Sequence, residues 1–123
     1  MKVSRRIAIA DRSILAHNVY KTILKPLGFS IFHYKTLKEL KENHNFKWGC
    51  PFFLINTNTF GNHFERHLEW MQKEPGMVAV QKIFLCGALE KNIQSHLKKL
   101  PRSQLLLKPF FPETLEEKLK KHG

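Results

Sequence analysis

A single aspartate, Asp11, accompanies nine glutamates at positions 39, 42, 65, 69, 74, 90, 113, 116 and 117. Chemistry built on two or three clustered aspartates, as in a calcium loop, a two-metal nuclease or an acid pocket for phosphotransfer, would have to recruit those glutamates, most of which fall in helix-like segments. His63 and His67 stand four apart, the spacing of a two-histidine metal face. No carboxylate or cysteine follows at the spacing of a third ligand, so with Glu65, Arg66 and Glu69 they read as one solvated helix face, and no metal or other cofactor is expected. Ser13, Ser30, Ser95 and Ser103 lie outside any GxSxG elbow, and Cys86 has no base beside it. The six glycines form neither a GxGxxG turn nor a phosphate loop. Cys50 and Cys86 lack CxxC spacing and read as buried thiols. An enzyme is not expected.

The elements that must position these residues follow from hydrophobic periodicity. Short apolar runs at 7–10, 52–55, 83–86 and 105–107 have no polar alternation, which suits strands covered on both faces of a parallel sheet. A fifth run, 29–34, is β-branched and aromatic but broken by Ser30 and His33, which suits an edge strand. Between the runs lie helical stripes: Leu15, Val19, Ile23 and Leu27; Leu37 and Leu40 within 36–43; Phe64, Leu68 and Met71; Leu89, Ile93, Leu97 and Leu100; Leu115 and Leu119. The last helix has Pro112 in its first turn, glutamates early and lysines late, matching the helix macrodipole. Strand then helix, five times over, predicts one α/β domain spanning 1–123, an open five-stranded parallel sheet with helices on both faces. In such folds ligands bind at the carboxyl ends of the strands, so Asp11, Arg12, the 56–59 turn, Gly87, Ala88, Lys108 and Pro109 are the residues to question.

Those positions carry a resemblance. The 7–11 run ending in Asp11, the stretch to Leu27-Gly28-Phe29, the Asn56-Thr57-Asn58-Thr59-Phe60 turn, the 83–88 run, and Leu107-Lys108-Pro109-Phe110 with its following helix together resemble the receiver domain of two-component response regulators. The resemblance covers nearly the whole chain and implies a doubly wound (βα)5, flavodoxin-like fold of strand order 2-1-3-4-5. It also implies a place in two-component signal transduction, where such domains take a phosphoryl group on a third-strand aspartate beside Mg²⁺. Asp11 matches the first acid of that pocket, but Arg12 stands where a second carboxylate is normal. The phosphoacceptor matches Asn56, or Thr57 after a slip of one residue, and Phe60 replaces the usual proline. Gly87 matches the fourth-strand hydroxyl residue and Leu105 the switch aromatic. Only Asp11 and Lys108 survive, so the pocket is expected to be degenerate and to repel a divalent cation. Lys108 is expected to pair with Asp11, and Asp11 to cap the first helix.

The remaining anomaly is charge. Lys and Arg number 21 against 10 acids, a formal net charge of +11. Lys91, Lys98, Lys99, Arg102, Lys118, Lys120 and Lys121 concentrate on the fourth and fifth expected helices, the face through which receiver domains dimerise or contact partners. The expectation is a phosphorylation-independent receiver-like domain acting through protein contact, with an acidic signalling protein or a second copy of the chain as partner. The alternative is a nucleic-acid-binding module using the same basic helices. No apolar run approaches the ~20 residues of a membrane span, and the N-terminal segment has too short an apolar stretch for a signal peptide. A cytoplasmic protein without membrane contact is expected.

Overall fold

A computed structural model of the chain describes residues 5–48 and 50–120. Five strands, β1 (Arg5–Ala10), β2 (Phe29–Tyr34), β3 (Phe52–Asn56), β4 (Gln81–Gly87) and β5 (Ser103–Lys108), form one sheet of order β2-β1-β3-β4-β5. Every pairing is parallel. Six helices are described: α1 (Ile14–Leu24), α2 (Leu37–Asn43), α3 (Phe64–Lys73), α4 (Pro75–Ala79), α5 (Lys91–Leu97) and α6 (Pro112–Lys120). The sheet order is the one that the resemblance implied, and Phe29–Tyr34 lies at an edge as its sequence predicts.

Side chains alternate across a strand, so each apolar run supplies both faces at once. Ala8, Ala10, Phe53, Ile55, Phe84 and Cys86 pack with residues of α2, α3, α4 and α5. Ile7, Ile9, Phe52, Leu54, Ile83 and Leu85 pack with Tyr20 and Leu24 of α1 and Leu115 and Leu119 of α6. The central runs are apolar throughout because neither face meets water.

Three helical expectations need correction. In the first stripe, Leu15 and Val19 are 77% and 52% exposed, while His17, Tyr20 and Leu24 are buried. At about 100° per residue, each four-residue step drifts about 40°, so positions 15 to 27 rotate about 120° around the helix and cannot share one face. The chain tightens into a 3-10 turn at Lys25–Leu27, closed by Gly28 at φ 87°, a conformation that favours glycine. Leu89 is 94% exposed because it precedes α5, while Leu97 and Leu100 carry the burial. His67 does not share the solvated face of His63, Glu65, Arg66 and Glu69: it is 8% exposed and packs against Phe60, on the same side of α3 as Met71. Beyond α3, Glu74 ends that helix and caps α4, and Pro75 opens α4, a first-turn position where proline loses no hydrogen bond.

Lys82 is fully buried on β4, and its ammonium donates to the carbonyls of Met77 and Val80 at 2.6 and 2.8 Å. It thereby satisfies carbonyls at the end of α4 that the helix itself leaves open. Burial first, and then Arg102, bring its pKa down to about 8.

Candidate functional site

Asp11 follows β1, Asn56 ends β3, Gly87 ends β4 and Lys108 ends β5, so the sheet brings these four to its carboxyl edge. Asp11 is fully buried. Its Oδ1 accepts from the Ser13 backbone N–H at 2.9 Å and from Asn58 Nδ2 at 3.0 Å. Its Oδ2 accepts from the Tyr20 hydroxyl at 2.6 Å and from Asn56 Nδ2 at 2.9 Å. A carboxylate offers about four acceptor sites, and here they are taken by uncharged donors. Burial pushes the Asp11 pKa up, but the bonds from Tyr20, Ser13, Asn58 and Asn56 outweigh it and hold the group below its ordinary value. The Tyr20 phenol is raised in turn, by burial and then by Asp11.

Two expectations about Asp11 are corrected by this geometry. The N-cap of α1 is Ser13, whose hydroxyl oxygen accepts from Ala16 N, because the Asp11 oxygens are already committed. Lys108 does not pair with Asp11. Its Nζ donates to Asn56 Oδ1 at 3.0 Å, leaving the amide to bridge ammonium and carboxylate. A primary amide suits that position because its oxygen accepts while its nitrogen donates. The Asn56 oxygen also takes the Asn58 N–H, which closes the 57–59 turn.

Thr57 and Gly87 meet through a residue that sequence reasoning passed over. Glu90 Oε1 accepts from the Thr57 hydroxyl at 2.8 Å and from the Gly87 N–H at 2.7 Å. A Cβ on Gly87 would stand 3.2 Å from that oxygen. Tyr20 was missed too, and Asn58 was flagged only as part of its turn. The available signal for Glu90 was its place three residues beyond Gly87, within reach of a turn; for Asn58 it was the amide pair in the 56–59 turn.

Arg12 is exposed, and its backbone N–H donates to Asn58 Oδ1 at 3.3 Å. Leu105 is partly buried against the core, and Phe60 is buried beside Phe64 and His67. Mg²⁺ asks for hard oxygen ligands with free lone pairs. Asp11 has its acceptor sites filled and Asn56 Oδ1 has two donors, which leaves Glu90, whose Oε1 takes both Thr57 and Gly87, as a single carboxylate with a free oxygen, so these residues do not make a set that fits the ion. Among the described residues no group of three or more His, Cys, Asp or Glu is placed to hold a metal. Beside the edge lies an open cleft of about 700 Å³, floored by Asp11, Asn56, Asn58 and Lys108 and walled by apolar residues of α1 and of the segment after β5.

Of the basic residues expected on the last two helices, Lys91 lies on α5 and Lys118 and Lys120 on α6, whereas Lys98, Lys99 and Arg102 lie in the turn between α5 and β5. Lys91 begins α5, Lys98 is its C-cap and Lys99 follows in the turn, and Arg102 leads into β5 with φ 54°. These four are exposed, and none forms an ion pair among the described residues. Lys120 pairs with Glu116 at 3.4 Å, and the Lys118 carbonyl accepts from Gln104. Lys121 lies outside the described residues. No described helix is long and apolar enough to cross a membrane.

No family model matches the sequence, and no curated protein does either. Solved structures match strongly. A chemotaxis response regulator of Vibrio cholerae is 15% identical with a TM-score of 0.79, covering 98% of this chain and 100% of its own. The signal receiver domain of a Luxo repressor protein from Vibrio parahaemolyticus is 16% identical, TM-score 0.75, covering 98% and 90%. A CheY-like receiver domain protein from Methanospirillum hungatei is 22% identical, TM-score 0.74, covering 97% and 93%. The chain therefore has the fold of response-regulator receiver domains.

Proposed function

We propose that this chain is a receiver-fold signalling module that works without phosphoryl transfer and acts through protein contact at the basic surface around β5. The observation that carries the reading is Asn56. Where the fold's chemistry calls for a nucleophilic carboxylate, an amide holds Asp11 with its nitrogen and Lys108 with its oxygen. Phosphoryl transfer needs a nucleophile and charge-neutralising cations around it. Here the site offers an amide, a saturated carboxylate, and a hydroxyl and N–H already committed to Glu90.

The partner class follows from charge. Lys91, Lys98, Lys99 and Arg102 present four exposed cations without an acidic neighbour in ion-pair range among the described residues. A second copy docked symmetrically on this face would set like charges against each other, whereas an acidic protein surface complements them. The test is titration calorimetry with an acidic peptide, in the presence and absence of acetyl phosphate and Mg²⁺. The same saturable affinity in both conditions, lost on charge reversal of Lys91, Lys98 and Lys99, supports the proposal. Affinity that depends on the phosphodonor contradicts it. Preferential binding of random duplex DNA with a steep salt dependence would favour nucleic acid as the ligand instead.

A further inference from the structure

The cleft between α1 and the segment after β5 has the size and lining of a small-molecule site. Its volume, about 700 Å³, falls within the ~300–1,000 Å³ of small-molecule sites. Its walls include Ala16, Val19, Ile23, Pro109 and Phe110. Its floor has an uneven supply of hydrogen-bonding capacity. The Asp11 oxygens are filled by four donors, and Asn56 Oδ1 accepts from both Asn58 N and Lys108. On the floor side chains what stays unspent is mainly donor hydrogens, two on the Lys108 ammonium and one on Asn58 Nδ2, against one lone pair on Asn58 Oδ1. A donor-rich floor under apolar walls selects a ligand whose head accepts and whose body is hydrocarbon or aromatic.

We propose that this cleft binds a small amphiphilic carboxylate, with its head group on Lys108 and its apolar body along α1 and Phe110. The inference rests on the reading that the site takes neither Mg²⁺ nor a phosphoryl group, since a phosphoryl group would compete for Lys108 and Mg²⁺ would draw the Asp11 and Asn56 oxygens out of the arrangement that positions it. A charged head on an ammonium forms a charge-assisted bond, and the body covers apolar surface that α1 leaves open at Val19, which is 52% exposed. The bound head group would lie beside the Asp11–Asn56–Lys108 chain, so occupancy would be felt at the ends of β1, β3 and β5.

The test is an amide chemical-shift titration of the whole chain with octanoate, using octanol and acetate as probes of tail and head alone. Octanoate should give saturable shifts at Ala16, Val19, Lys108 and Phe110 with a Kd below about 1 mM, and each control should bind at least about tenfold more weakly. Lys108→Gln should weaken octanoate by about tenfold or more and leave octanol unchanged. Val19→Glu, at an exposed position that folding tolerates, should weaken both. Equal binding of octanol, shifts confined to the lysines of α5 and α6, insensitivity to both substitutions, or no saturable shift by about 1 mM would each overturn the proposal. The same sample titrated with Mg²⁺ separates the two levels. Shifts at Asp11 and Asn56 would overturn the underlying reading, whereas an inert response to Mg²⁺ with no octanoate binding would overturn this inference alone.

Discussion

The Lys108 ammonium donates to Asn56 Oδ1 at 3.0 Å, and the buried Asp11 carboxylate reaches that cation only through the amide, whose nitrogen donates to Asp11 Oδ2 at 2.9 Å. The amide relays between two charges that would otherwise be desolvated without direct neutralisation. Asn56→Asp replaces the donating nitrogen by an oxygen facing the Asp11 carboxylate. The expected cost is about 1–3 kcal/mol, the range for a lost buried hydrogen bond to a charged group, read by urea denaturation. The variant should still take no phosphoryl group, because Gly87 and Thr57 remain committed to Glu90 and Arg12 supplies no metal ligand. Robust Mg²⁺-dependent labelling of that single variant would place the defect elsewhere.

Tyr20 supplies the shortest bond to Asp11, 2.6 Å. Tyr20→Phe keeps the ring in the α1 core and removes only the donor, so a loss of about 1–2 kcal/mol is expected. The Asp11 pKa should rise at the same time, since one of the bonds that lower it has gone; side-chain carboxyl shifts against pH would record it. An unchanged Asp11 titration would mean that the hydroxyl does not hold the carboxylate.

Acid should loosen the fold well before Asp11 titrates. Burial, then His17 and Lys21, bring His33 down to about 4, and burial, then Lys41 and His63, bring His67 to about 4. Their ordinary value is 6.5, so between those limits the unfolded chain binds more protons than the folded one. Stability is therefore full above about pH 6.5 and falls as pH drops towards 4. Asp11, whose pKa is lowered, contributes its loss only further down, below its ordinary 3.8. The melting temperature should fall by roughly 5–10 °C between neutral pH and pH 4.5. His67→Gln should flatten that slope, and an identical slope in the variant would exclude His67 as a source.

Lys82 stabilises the turn from α4 into β4. Lys82→Met keeps the aliphatic stem and removes the ammonium from the Met77 and Val80 carbonyls, for an expected loss of about 1–3 kcal/mol. Amides of α4 should exchange faster than those of α3 in the variant, and equal protection would contradict the capping role.

Lys91→Glu, Lys98→Glu and Lys99→Glu together should change stability by less than about 1 kcal/mol, because exposed charges contribute little. Binding of an acidic partner should drop sharply all the same. Retained binding, with loss on charge reversal at Lys21 and Lys25 instead, would move the interaction to α1.

The sheet was legible because central strands buried on both faces leave runs such as Phe52–Asn56 with little polar interruption. The substitutions that set the site's character, Arg12, Asn56 and Gly87, were legible as residue types at strand ends. The bonds among them were not. Whether Lys108 meets Asp11 or Asn56 depends on which acceptor sites are already filled, and Tyr20 fills one of them from nine residues along the chain. Glu90 was hidden because a glutamate after a strand reads as helix surface until its turn folds it back onto the Gly87 N–H. The inward face of α1 was misread because a four-residue repeat tracks a helix stripe only over short distances.

On the proposed reading, the Asp11–Asn56–Lys108 arrangement takes no phosphoryl group. The most direct measurement is the intact mass of the protein after incubation with acetyl phosphate, with and without Mg²⁺. The mass should be unchanged in both, and a Mg²⁺-dependent, hydroxylamine-labile phosphoryl adduct on this chain would overturn that reading.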